Sequence, residues 1–253
     1  MRWIYKPLHF LYVLYAFVVF VVLMIPVFIF VLIVTPFGNI KGGNLVYEGC
    51  KVWADVWFFL VFIRHKNVFI EPISKEDSYI FVANHISYLD AAIIPKVFRQ
   101  PTRALGKVEM SKVPIFGYIY KNAIVTVDRS SPENRARSVQ QLKAVIRKGI
   151  SVLVFPEGTF NMTGKPLKDF YDGAFRVAIE TGTPIKPVLL LHTFGRMHYD
   201  SIFSLNPGPS KAVFLPVVPV DGLKPGDVGA LKERVYTIMC EGLKKYNASW
   251  IRD

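Results

Sequence analysis

From residue 11 to residue 34 the chain reads LYVLYAFVVFVVLMIPVFIFVLIV, without a single charged position. As a helix rising about 1.5 Å per residue, this run is roughly 36 Å long and exceeds a hydrocarbon layer of about 30 Å. A cleaved secretory signal has a shorter apolar core, roughly 7–15 residues, followed by small residues at the cleavage site. Here the core is longer and TPFGNIKGG follows it. The pattern predicts a membrane-embedded helix, with Pro26 as the place where it could kink or turn back. Lys41, Gly42 and Gly43 mark a break, and residues 44–64 predict a second helix. On it Trp53 and Trp57 share one face with Val56 and Leu60. That face belongs either at lipid headgroup level, where tryptophan is favoured, or against the rest of the protein.

From His65 onward the texture changes to short apolar runs alternating with helical patterns. Strands are predicted over 67–70, 79–83, 103–106, 124–127, 152–155, 185–191 and 212–217. Helices are predicted over 89–98, 132–148, 173–181 and 228–246. The second of these is the most clearly marked, with Ser131 as a cap, Pro132 in the first turn and Gly149 at the end. Alternation of strands with helices of this length indicates a layered α/β domain. The expected division is residues 1–64 for the membrane-embedded and interfacial helices and residues 65–253 for the α/β domain.

Composition sharpens this picture. Hydrophobic residues make up 52% of the 253 positions, and the mean hydropathy of +0.32 points to contact with lipid. Lysine and arginine number 31 against 19 acidic residues, a formal charge of +12. Such an excess attracts nucleic acid or anionic headgroups. The basic residues are dispersed and no nucleic-acid-binding signature accompanies them, so membrane lipid is the expected partner. Two distant cysteines, Cys50 and Cys240, form neither a disulfide framework nor a zinc module, which suits a reducing compartment. More basic residues follow the apolar helix than precede it, so the larger part is expected on the cytoplasmic face of the membrane.

Three places carry candidate chemistry. In SYIFVANHISYLDAAIIP a strand ends at His85, and a helical turn starting near Ser87 would bring Asp90 back to the imidazole. A carboxylate on one ring nitrogen fixes the tautomer and leaves the other nitrogen to accept a proton. The same residues also read as a helix cap without chemistry. In SVLVFPEGTFN, Glu157, Gly158 and Thr159 follow a strand, at the end where open α/β sheets bind ligands; a plain turn is the alternative. Arg129 closes another strand and could hold an anion or pair with a nearby carboxylate. GTFNMTGKP lacks the spacing and final hydroxyl residue of a P-loop, and no Gly-x-Ser-x-Gly elbow occurs. His192, His198 and Asp200 lack the two-histidine spacing of a metal helix, so no metal is expected.

Taken together, these blocks resemble the glycerolipid acyltransferase family. Asn84-His85 through Asp90 is similar to its histidine–aspartate signature. Residues 105–129, with Lys107, Glu109, Pro114 and Gly117, match a second block, FPEGT at 155–159 a third, and Thr183-Pro184-Ile185 with Pro187-Val188 a fourth. The resemblance implies a mixed, mostly parallel sheet flanked by helices. It also implies that His85, oriented by Asp90, deprotonates a lipid hydroxyl for direct attack on the thioester of acyl-coenzyme A or acyl-carrier protein. These are co-substrates; no cofactor, metal or acyl-enzyme is implied. By position, Lys107 and Arg129 would bind the acceptor's anionic group. Glu157, Gly158 and Thr159 would shape its site, and backbone N–H groups near Gly158 would face the oxyanion. The implied acceptor is a lysophospholipid, first of all 1-acylglycerol-3-phosphate, giving phosphatidic acid at the cytoplasmic membrane. Two departures stand out: Phe160 replaces an arginine that follows the third block in the family, and Asn122 stands where glycine is common. An aromatic ring has no bidentate grip on phosphate. This leaves open a lyso-aminoacyl lipid as acceptor, or a non-catalytic lipid-binding protein on the same fold.

Overall fold

A computed structural model describes residues 2–74, 76–127 and 131–252. Seven strands form one sheet: β1 (Ile63–Phe69), β2 (Ile80–Ala83), β3 (Thr102–Lys107), β4 (Val125–Val127), β5 (Ser151–Val154), β6 (Ile185–Leu191) and β7 (Gly208–Phe214). Their order across the sheet is β1-β7-β6-β2-β5-β3-β4. The run from β6 to β4 is parallel throughout, β7 is antiparallel to β6, and β1 is parallel to β7. The expected mixed, mostly parallel sheet is therefore present, and the carboxyl ends of β6, β2, β5, β3 and β4 share one rim.

Nine α-helices lie among the described residues: α1 (Arg2–Val34), α2 (Lys41–Leu60), α3 (Leu89–Ala92), α4 (Ile94–Val97), α5 (Phe116–Ala123), α6 (Pro132–Ile146), α7 (Gly173–Thr181), α8 (Thr193–Arg196) and α9 (Val228–Lys245). Side chains of successive strand residues point to opposite faces, so apolar runs such as Ile80-Phe81-Val82-Ala83 serve two cores at once. Ile80 and Val82 join Phe175 of α7 and Val235 and Met239 of α9 on one face. Phe81 and Ala83 join Trp57 and Phe58 of α2, and Leu89 and Ile93, on the other. That second core also takes in Val13 and Ala16 of α1.

The first helix is longer and more firmly attached than its apolar run suggests. Residues 6–37 are long and apolar enough to cross a membrane, and only 17% of the most apolar stretch is buried. Yet the helix lies against the rest of the protein at both ends. His9 Nε2 is 3.0 Å from the Leu205 carbonyl and the Tyr12 hydroxyl donates to Val61, 2.7 Å. Towards the other end Phe28 meets Tyr118 edge to face, and the hydroxyls of Thr35 and Tyr118 are 3.2 Å apart. The tryptophan face of α2 packs inward: Trp53 stacks on Trp57, and Phe20 of α1 meets both edge-on. The exposed side of α2 is apolar too, with Val52 and Phe59 at 64% and 78% exposure.

The remaining differences from the sequence pattern have local causes. The helix expected over 89–98 is two single turns, broken at Ile93, because Pro95 supplies no N–H to continue the ladder. β1 begins at Ile63 rather than 67, since polar Arg64, His65 and Lys66 sit on an edge strand. β7 covers 208–214 rather than 212–217. Pro209 is tolerated because pairing with β6 begins only at Lys211.

Candidate active site

The site begins where β2 runs out. Asn84 extends the strand with its side chain: Nδ2 donates to the Leu190 carbonyl, 3.1 Å, and Oδ1 accepts the Leu190 N–H, 2.8 Å. A carboxamide thus replaces a peptide group and holds β2 to β6 for one more step. His85 follows directly, on the rim.

The next five residues form a tight turn closed by Asp90, which is fully buried. Its Oδ2 accepts the backbone N–H of Ile86, 2.7 Å, and of Ser87, 2.8 Å, and lies 2.9 Å from His85 Nδ1. A carboxylate can only accept here, so Nδ1 carries the proton and Nε2 offers its lone pair. Ser87 is occupied as a structural hydroxyl, donating to the Met197 carbonyl and accepting from Leu89 N–H. Among the described residues Asp90 is the imidazole's only hydrogen-bonding partner, so no side-chain nucleophile leans on the ring. The imidazole stacks on Phe155, centroids 4.3 Å apart at 19°, and meets the Phe160 edge at 4.5 Å. Phe160 in turn meets Tyr88 at 4.9 Å. The arginine-to-phenylalanine departure therefore stands directly against the histidine.

β5 is the strand beside β2, and the turn at its carboxyl end clamps His85 from below. Glu157 is fully buried. Its Oε1 accepts the His85 N–H and its Oε2 the Lys168 N–H, both at 2.8 Å. Asn161 N–H donates to the His85 carbonyl, 2.8 Å, so both backbone polar groups of His85 are pinned by the segment after β5. Burial pushes the Glu157 carboxyl up to about 7, against the two N–H bonds, which favour the charged form. Glu157 thus positions the histidine's backbone rather than lining an open acceptor pocket. Gly158 has φ +73°, a conformation that favours glycine at this turn. Its N–H donates to the Phe155 carbonyl, 3.0 Å. The turn therefore uses the Gly158 proton itself.

The other expected residues are more dispersed. Thr159 is exposed, and Lys168 Nζ donates to its hydroxyl, 2.9 Å. Lys107 is exposed at the carboxyl end of β3, on the same rim as His85 but with β5 between them. Arg129 lies outside the described residues. Among these residues no cluster of three or more histidine, cysteine or acidic side chains could hold a metal. The contacts that Asn84, Phe155 and Asn161 make around His85 escaped the sequence pattern. They join the ends of neighbouring strands, and only the adjacency of two strand-end motifs could have suggested them.

A mostly parallel sheet flanked by helices, with a histidine hydrogen-bonded to a buried aspartate on its carboxyl rim, defines the class: a layered α/β protein with that pair at its strand ends. Comparison with known proteins narrows it. The acyltransferase family model matches residues 65–191. A probable 1-acyl-sn-glycerol-3-phosphate acyltransferase of Mycoplasma pneumoniae is 30% identical over 189 residues, covering 70% of each chain. The 1-acyl-sn-glycerol-3-phosphate acyltransferase of Cocos nucifera is 26% identical over 221 residues, 84% of this chain and 68% of that protein. The crystal structure of the 1-acyl-sn-glycerophosphate acyltransferase PlsC from Thermotoga maritima superimposes with a TM-score of 0.76 over the full length of both chains, at 23% identity. The chain belongs to the acyltransferase family, and it is an acyltransferase.

Proposed function

We propose that the protein transfers a fatty acyl group from an acyl-coenzyme A or acyl-carrier protein thioester to the free hydroxyl of a lysolipid. The leading acceptor is 1-acylglycerol-3-phosphate, the substrate class named for its relatives. The observation that carries the mechanism is the 2.9 Å contact between His85 Nδ1 and the buried Asp90 carboxylate, with no side-chain nucleophile on the ring among the described residues. His85 Nε2 accepts the proton of the lipid hydroxyl as its oxygen attacks the thioester carbonyl. The tetrahedral intermediate collapses, the carbon–sulfur bond breaks, and the departing thiolate takes the proton back from the imidazolium. No acyl-enzyme is needed because the thioester is already activated. Residues 1–64 hold the protein to lipid through the uncovered apolar surface of α1 and α2, and residues 65–253 carry the catalysis from the cytoplasmic side.

A second acceptor is favoured by one observation. Phe160 places an apolar edge against His85, where it can contribute no charge to a phosphate. A lyso-aminoacyl lipid, which presents a carboxylate instead, keeps the same chemistry.

The test is acyl transfer by the purified full-length protein in detergent, with labelled donor and both acceptors. Product that is lost in His85→Ala, with the thermal melt unchanged, is the expected result; a general base contributes about 10²–10⁴-fold. Turnover within a few-fold of wild type in that variant would remove His85 as the base.

A further inference from the structure

The geometry points to Lys168 and Thr159 as a cradle for the anionic group of the acceptor, on a segment that Glu157 ties to the backbone of the base. The inference rests on the proposed function for what the acceptor is. Lys168 Nζ donates to Thr159 Oγ1 at 2.9 Å. An ammonium has three donors and no acceptor, so two of its protons remain. The Thr159 hydroxyl, having accepted, keeps its own proton to give. Three donors therefore converge at an exposed point of the rim.

No carboxylate bonds the ammonium among the described residues, where none of the ion pairs includes Lys168. Two polar neighbours on the loop are committed elsewhere. Asn161 bonds the carbonyls of Lys165 and Pro166 and accepts from Thr163, and Asp172 pairs with Lys232. Lys165, the other basic residue of this segment, hydrogen-bonds through its backbone.

The placement is what makes this cation specific. Glu157 Oε2 holds the Lys168 backbone while Oε1 holds that of His85. The backbones that carry the base and the ammonium are thus both tied to one buried carboxylate. Phe160, next in the chain after Thr159, meets the His85 ring in a T-shaped contact. One turn thus carries an apolar ring against the base and, beside it in sequence, one member of the donor pair. That set fits a lipid whose hydroxyl is separated from a phosphate or carboxylate by a short carbon spacer. Charge-assisted hydrogen bonds to such a group also fix its orientation.

The experiment uses the full-length protein in lipid nanodiscs and two readouts, equilibrium binding and steady-state transfer. The probes are 1-acylglycerol-3-phosphate, a lyso-ornithine lipid and 1-monoacylglycerol, which carries no anion. Lys168→Ala is expected to raise the Kd and KM for the anionic acceptor by roughly 10–100-fold. It should leave kcat nearly unchanged and leave 1-monoacylglycerol unaffected. Lys168→Arg should recover most of the loss, and Thr159→Ala should shift KM in the same direction by less. Dependence on Lys168 with the phosphate lipid alone, or with the lyso-ornithine lipid alone, identifies which anion the cradle takes. Unchanged Kd and KM in Lys168→Ala would overturn the inference, as would a fall in kcat alone. Binding weakened by Lys168→Ala in a protein that transfers to none of the probes would uphold the cradle while removing the acyl-transfer reading.

Discussion

Glu157 faces two opposed demands. Its buried carboxyl titrates near 7 instead of the ordinary 4.5 because burial disfavours the charged form. The folded state therefore holds a proton that the unfolded chain releases between those values. Stability from this group is fully present below about 4.5 and is lost as pH rises through about 7. The proposed catalysis favours the reverse, since the ionised carboxylate accepts more strongly from His85 N–H and Lys168 N–H. Acyl transfer is accordingly expected to rise as pH passes about 7. Glu157→Gln, whose amide nitrogen must face one of those N–H donors, should lower the rate. It should also reduce the fall in melting temperature between pH 5 and pH 8 relative to wild type. An identical pH dependence of the melt in both proteins would show that Glu157 does not titrate there. The His85–Asp90 pair was legible in the sequence because its contact spans one turn of chain. Glu157's partners were not, because the bond to His85 joins residues 72 positions apart.

Among the elements, the strands were the easiest to read, and the reason is burial on both faces. Ile80-Phe81-Val82-Ala83 and residues 185–191 are apolar almost without a break, and every position in them is buried. Edge strands fared worse, because β1 mixes Arg64, His65, Lys66 and Asn67 into a run that only its register with β7 defines. The short α5 gave no signal at all. It starts after Ile115 at positive φ, and Gly117, a poor helix former, is required there because a Cβ would collide with the Ser111 carbonyl oxygen. The junction of β2 with β6 makes a direct prediction. Asn84→Ala leaves the Leu190 N–H and carbonyl without partners in a buried setting, at about 1–3 kcal/mol for each orphaned group. Thermal or urea unfolding of the variant should show this loss. A melt within a degree of wild type would mean that the sheet closes without the carboxamide.

At the scale of the whole molecule, the first two helices share their interior with the sheet. Val13 and Ala16 of α1 and Trp57 and Phe58 of α2 belong to the same packed cluster as Phe81 and Phe214. The length and the uncharged character of the apolar run were plain in the sequence. Its attachment at both ends was not, because His9, Tyr12 and Thr35 bond to residues far along the chain. A protein lacking residues 1–40 would uncover the Trp53–Trp57 face and the α1 side of this core, each large side chain forfeiting about 1.5–3 kcal/mol of burial. Such a truncation is expected to aggregate, or to melt well below the full-length protein in the same detergent. A truncated protein with an unchanged melt and near-ultraviolet circular dichroism would show that the sheet domain stands alone.

The stacking of His85 on Phe155 has a magnetic consequence. A proton held over the face of an aromatic ring is shielded by the current its π electrons carry. With centroids 4.3 Å apart and planes inclined by 19°, the His85 ring protons lie in that shielded zone. Their resonances should be displaced upfield, away from the crowded region where unstacked imidazoles appear. Of the five histidines, His198 also meets aromatic rings, but at tilts of 54° and 39°; the near-parallel stack on Phe155 is what sets the His85 resonances apart.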